Sequence, residues 1–353
     1  MARMASSIAF LAGARRGGSA AGDGVGAHRF VRRCTSLPQA ARDRSPAGYA
    51  GPMESASSLP RSPWLVFGLS GQVGDALCEL RGRDDPQLLA VSRVARPDRP
   101  GLRWTQGGLP DFAPAPEPAP AAVISLGPLD LFARWFEACP LAPARVVALG
   151  STSVHGKRDS PDPAERALVE TLTAAEARLA AAAAARGTAL TLLRPTLVYG
   201  RGRDRNLSRL VRLARRLGWL PLPAEARGLR QPVHADDVAA AVLAALRAPQ
   251  ARPGLFDLPG GETLAYDEMV ARALAAGAPG ARLRRLPGPL FRAGVRLARL
   301  SGRLDVAGEG VLARMDRDLV YDGAPVRDAL GLQPRPFRPG PACFPEDRDG
   351  RPV

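Results

Sequence analysis

Hydrophobic and polar positions alternate along this chain in blocks of two kinds. Trp64-Leu65-Val66-Phe67 is an unbroken apolar run that stops at Gly68, and Asp75 to Leu80 follows with helical patterning, so the stretch reads as a buried strand turning tightly into a helix. Similar runs recur at Gln87–Arg93, Leu102–Trp104 and Ala121–Pro128, with a helix predicted over Phe132–Ala138. A fifth strand, Arg145–Gly156, ends in hydroxyl residues, and Thr188–Tyr199 reads as a sixth. Between them a long helix is predicted, with Asp162 as its N-cap, Pro163 in its first turn and Glu165 completing a capping box. Strands separated by helices imply an α/β fold with a doubly wound parallel sheet, which places chemistry at the C-terminal ends of its strands.

After Gly200 the pattern changes. Arg205, Arg209, Arg212 and Arg216 recur on one helical face opposite Leu207, Val211 and Ala214. Asp236 is the expected cap of a helix over Val238–Arg247, and Thr263–Ala276 and Ala281–Arg303 read as further helices of a small C-terminal substrate lobe. The organisation expected is therefore a leading segment 1–63, a nucleotide-binding domain 64–200, a substrate lobe 201–342 interleaved with it, and a tail 343–353. Ala113–Pro120 alternates proline with other residues and is a surface loop.

The first turn carries the chemistry. Gly68, Gly71 and Gly74 are spaced G-x-x-G-x-x-G, which suits a sharp turn, close approach of backbone to a pyrophosphate, and close helix packing, respectively. Amides at the helix start, with its dipole, would hold the phosphates. Candidate coenzyme contacts are Gly68, Ser70, Gly71, Gln72, Val73 and Gly74, with Leu126 and Gly127 at the end of the fourth strand. At the end of the second strand, where a carboxylate would bind a ribose 2′-hydroxyl, stand Ser92 and Arg93. A guanidinium there favours a 2′-phosphate, so NADP is expected over NAD.

Composition bounds the alternatives. With 353 residues, 46% of them hydrophobic, the chain can bury a large core. A net charge of +15 would ordinarily point to nucleic acid, but Lys157 is the single lysine among 49 basic residues. That skew reads as a compositional bias of coding, so no nucleic-acid partner is expected. No apolar run is long enough to span a bilayer. Cys34, Cys78, Cys139 and Cys343 are widely separated, and the histidines are His28, His155 and His234, so neither a zinc site nor a disulfide framework is expected. A reducing, cytoplasmic location fits. The first 63 residues are rich in Arg, Ser, Gly and Ala; they read as a tail or an upstream start, with Met53 as candidate initiator and a transit peptide as the rival.

Four segments occur in an order that resembles the extended short-chain dehydrogenases/reductases, the NAD(P)-dependent epimerase/dehydratase family: the glycine turn, Leu149–Gly156, Leu193–Gly200 and Gln231–Ala239. Leu319–Asp322 with Leu330–Pro334 is similar to the family's closing segment. The resemblance implies a Rossmann-type fold and a small-molecule substrate, in the family often a nucleotide sugar, and leaves room for a homodimer. It also implies that Ser151 is the catalytic hydroxyl and that Asn206 and Arg230 contact a substrate diphosphate.

One departure is plain. Aligning Glu176 with the family's glutamate places the Tyr-x-x-x-Lys positions at Leu168 and Leu172. The usual phenol and its ammonium are missing, so His155 and Lys157, close to Ser151, are the candidates for proton transfer. Two readings follow: hydride transfer on a nucleotide sugar, or a non-catalytic NADP-binding protein serving redox sensing, stability or assembly.

Overall fold

The computed structural model describes residues 62–114, 119–204, 206–300 and 314–345, with only the backbone of 297–300. Met53, His28, Cys34, Arg205 and most of the leading and trailing segments lie outside the described residues.

Seven parallel strands form the central sheet in the order β11-β6-β5-β4-β1-β2-β3. They are β1 (Trp64–Phe67), β2 (Leu88–Ser92), β3 (Leu102–Gln106), β4 (Ala122–Ser125), β5 (Arg145–Leu149), β6 (Ala189–Pro195) and β11 (Gly254–Leu258). Because β1 is central, both its faces are covered: Trp64 and Val66 join one core cluster, Leu65 and Phe67 the other. On the first face pack α1 (Gln72–Leu80) and α6 (Ala235–Arg247); on the second, α2 (Leu129–Ala138) and α4 (Pro163–Ala185). Phe67, Phe132, Phe136 and Trp135 interlock on that second face, with the Phe67 and Trp135 rings 4.6 Å apart.

The remaining elements are α3 (Ser153–Gly156), β7 (Val198–Tyr199), α5 (Leu207–Leu217), β8 (Trp219–Pro223), β9 (Leu229–Arg230), β10 (Val233–His234), β12 (Leu264–Ala265), α7 (Tyr266–Gly277), β13 (Arg282–Leu286), α8 (Gly288–Leu300) and α9 (Ala324–Leu330). A third core, with Tyr199, Leu207, Val211, Leu222, Met269 and Phe337, fills the space among several of them and extends to Cys343 and Phe344.

Several expectations are corrected. The fifth strand ends at Leu149, and Ser153–Gly156 is a helical turn. The sixth breaks after Pro195, with Val198–Tyr199 pairing separately with β10. His234, not Asp236, caps α6: its Nδ1 accepts the Asp236 amide at 3.2 Å. Residues 282–286, read as helical, form a strand parallel to β8, because Leu283 and Leu286 need a partner that an arginine-rich helix would not supply. Asp162 does cap α4, accepting the Ala164 amide at 2.9 Å, but Glu165 turns inward instead of closing a capping box. The edge strand β11, Gly-Leu-Phe-Asp-Leu, carries too short a pattern to be seen without its neighbour β6.

Gly74 is held by backbone: a Cβ there would lie 2.0 Å from the Leu69 carbonyl oxygen. Gly74→Ala is therefore expected to destabilise the fold by about 2 kcal/mol or more, read as a lowered urea midpoint, whereas Gly187→Ala, with nothing near its Cβ but a φ of +64°, should cost less.

Candidate active site

The turn after β1 is built by contacts that leave one position open. Gly68 adopts φ +80°, and a Cβ on it would meet the Gly127 amide at 2.8 Å. A Cβ on Gly71, by contrast, would meet only the Gly68 carbonyl oxygen at 3.4 Å, an ordinary contact. Internal packing therefore explains glycine at 68 and 74 but not at 71. Gly71 is the N-cap of α1, and no side chain caps the amides that follow it. Around this helix start, Gln72 Oε1, Ser125 Oγ at the end of β4 and Asp130 Oδ1 in the first turn of α2 are buried without a hydrogen-bond partner. Buried polar atoms are rarely left so. Donors without a cap and side-chain atoms without a partner thus gather where β1 and β4 end. Ser70 is exposed, Val73 buried, and Leu126 and Gly127 close the far side of the turn.

At the end of β2, Ser92 Oγ accepts the Val94 amide at 3.2 Å and Arg96 Nε at 3.3 Å. Arg93 is exposed, its stem beside Gly108, and Arg96 lies 5.2 Å from the Trp104 ring centroid. Arg96 escaped the sequence reading because only folding brings it back to Ser92.

Ser151 follows β5 directly. Its hydroxyl donates to Ser153 Oγ at 3.0 Å and accepts the Ser153 amide at 3.1 Å. Leu168 and Leu172 are 2% and 5% exposed and pack in the second core, so neither position could be turned toward a ligand without opening it. The two proton-transfer candidates have different surroundings. His155 is exposed, with Nε2 3.2 Å from Asp257 on β11 and 3.4 Å from Arg194 Nη1 on β6. A proton on Nε2 would be donated to Asp257, since a carboxylate only accepts. Arg194 is itself forked onto Glu176 on α4, with Nε to Oε1 at 2.8 Å.

Lys157 is not a solvated loop residue. Its ammonium lies 3.5 Å from the buried Glu165, and burial pushes its pKa down. Glu165 also accepts from Ser160 Oγ at 2.6 Å and from both terminal nitrogens of Arg314. Burial tends to raise the Glu165 pKa, but the Arg314 and Ser160 hydrogen bonds and the Lys157 charge outweigh it and hold the carboxyl below its usual range.

Tyr321 is a phenol the sequence reading did not assign. Its hydroxyl donates to the Thr152 carbonyl at 3.4 Å, and its ring is 5.7 Å from that of His155. Its distance along the chain from Ser151 hid it. Arg230 is buried under Tyr266 and spends its guanidinium on the carbonyls of Leu229, Arg314 and Arg317. Asn206 is exposed at the start of α5, its amide donating to Asp204 Oδ1 at 3.1 Å. Among the described residues no group of three or more His, Cys, Asp or Glu could hold a metal, and no helix is long and apolar enough to cross a membrane.

The family model described as "NAD dependent epimerase/dehydratase family" matches residues 126–257. Over that segment the chain is similar to the epimerase/dehydratase family. Solved structures share the fold. MoeE5 in complex with UDP-glucuronic acid and NAD is 22% identical, with a TM-score of 0.58, over 80% of this chain and 97% of that one. UDP-glucuronic acid 4-epimerase from Bacillus cereus in complex with NAD is 14% identical with a TM-score of 0.57, over 80% and 94%. dTDP-glucose 4,6-dehydratase from Bacillus anthracis str. Ames in complex with NAD is 12% identical with a TM-score of 0.55, over 77% and 91%. No curated protein matches the chain. The chain thus shares the Rossmann-type fold of these solved structures.

The Glu165 carboxylate sets a pH dependence. Its folded pKa is below the unfolded one, so its contribution is present above the ordinary glutamate value of 4.5 and is lost as pH falls through the lower folded value. Glu165→Gln is expected to cost about 3 kcal/mol near neutral pH, by leaving Lys157 and Arg314 unpaired, and to flatten the acid limb of stability measured by urea unfolding from neutral pH to well below the ordinary glutamate value of 4.5.

Proposed function

We propose that this protein is an NADP-dependent oxidoreductase or epimerase that acts on a nucleotide sugar by hydride transfer. The observation that carries the reading is the uncapped start of α1 beside an open Gly71, ringed by the unpartnered Gln72, Ser125 and Asp130 atoms. A dinucleotide's diphosphate would take the free amides, and its ribose and amide groups would satisfy the buried polar atoms. Nicotinamide, when bound, supplies the hydride chemistry. Arg93 and Arg96, with no carboxylate in the ribose position at 92–93, support the 2′-phosphorylated form. The solved relatives named above are complexes with NAD, one also with a UDP-sugar, which supports the coenzyme class and the substrate class alike.

In this reading Ser151 donates a hydrogen bond to the substrate oxygen at the carbon that gains or loses hydride. His155 moves the proton: Asp257 fixes Nε2–H, leaving Nδ1 as the basic atom. Lys157, turned onto Glu165, biases the field beside this pair rather than touching substrate. Asn206 faces the diphosphate from the start of α5, and Arg230 supports that wall through the 314–317 backbone.

Burial of Leu168 and Leu172 favours a second reading, a coenzyme-binding protein without turnover. The two part on hydride exchange: transfer of label from NADPH to any member of a nucleotide-sugar panel establishes the enzyme, and tight binding without transfer establishes the binder.

Calorimetric titration is expected to show NADPH binding more tightly than NADH. Arg93→Ala and Arg96→Ala together should narrow that preference by about tenfold, the worth of charge-assisted bonds to one phosphate. Absence of binding by either coenzyme would refute the reading. If turnover is found, Ser151→Ala should lower kcat by about a hundredfold with little change in NADPH affinity.

A further inference from the structure

The loop between β7 and α5 is held in an unusual backbone state. Gly200, Arg201 and Gly202 have φ of +104°, +55° and +67°, three left-handed residues in succession, one of them not glycine. Such conformations persist where surrounding structure over-determines them, and they cluster at ligand clamps. Here the restraint is visible: Arg201 donates through Nε to Asp236 at 2.6 Å and lies 2.8 Å from Glu79 on α1. Downstream, the buried Asp204 accepts the amides of Asn206 and Ser208 and the Ser208 hydroxyl, so the loop is fixed at both ends.

What this bracing achieves is the position of Arg203. Its Nη1 donates to the Ser70 carbonyl at 2.5 Å and lies 3.3 Å from Asp75 Oδ2, in the first turn of α1. The side chain is 43% exposed, so the guanidinium has room to turn. A cation from the loop that follows β7 is thereby placed on the turn that follows β1. Asp75, a carboxylate beside the amides that would receive a diphosphate, is the anion it currently meets.

We propose that Arg203 clasps the coenzyme: with a dinucleotide bound, its guanidinium leaves Asp75 for a diphosphate oxygen while the strained loop keeps it over the turn. The inference rests on the coenzyme reading above. It also joins coenzyme binding to the braced loop that leads to Asn206.

Calorimetry on the full chain tests it, with NADPH and with adenosine 2′-monophosphate, which lacks the diphosphate. Arg203→Ala is expected to weaken NADPH about tenfold and adenosine 2′-monophosphate less than about twofold, with Arg203→Lys between wild type and Ala for NADPH. In the Asp75→Asn background Arg203→Ala should still weaken NADPH. Melting temperatures of the ligand-free variants confirm folding, and Arg203→Gln serves if the Ala variant fails to fold. An NADPH loss below about fivefold, equal losses for both ligands, or no further loss in the Asp75→Asn background would overturn the clasp, the last by reducing Arg203 to a neutraliser of Asp75. A wild type that binds neither ligand would instead refute the coenzyme reading itself.

Discussion

The close approach of backbone to backbone at the end of β1 is the constraint on which the rest depends. Gly68 meets the Gly127 amide and Gly74 meets the Leu69 carbonyl at distances no side chain would allow. These two contacts set the start of α1 beside the C-terminal ends of the paired strands β1 and β4. Everything proposed for the site takes its place from that setting: the free amides, the unpartnered Ser125 and Gln72 atoms, and the guanidinium of Arg203.

Arginine, which dominates the charge of the chain, proves to be largely structural. Arg194, Arg201, Arg247, Arg314 and Arg335 are paired with carboxylates. Arg145, Arg186 and Arg215 donate to carbonyls that end helices or loops. Five donors in a planar fork let one side chain staple two segments, which a lysine point charge does less well. The excess positive charge is thus distributed as internal braces as well as surface cations.

Braces of the same kind shape the stretch that follows β5. Leu168 and Leu172 on α4 lie in the apolar core. Polar groups enter from elsewhere: Asp257 from an edge strand, Tyr321 from the closing segment, and Arg314 from the residues before it. They meet the short stretch from Ser151 to Glu165, so local chemistry there draws on two distant parts of the chain, β11 and residues 314–321.

Much was legible in the chain itself. The apolar runs at 64–67, 88–92, 122–125 and 145–149 declare themselves because a parallel strand buried on both faces must be apolar throughout. The glycine spacing announced the turn, since side chains are sterically excluded at 68 and 74. The loss of the phenol at 168 was likewise visible in one dimension. Tertiary structure alone decided the rest: that Gly71 is open, that Glu165 turns inward to Arg314 instead of capping its helix, that Lys157 is buried, and that Arg203 lies on Ser70. Each depends on which remote side chain arrives to satisfy a charge or a carbonyl. Local periodicity encodes burial, but it carries no information about the partner across the cleft.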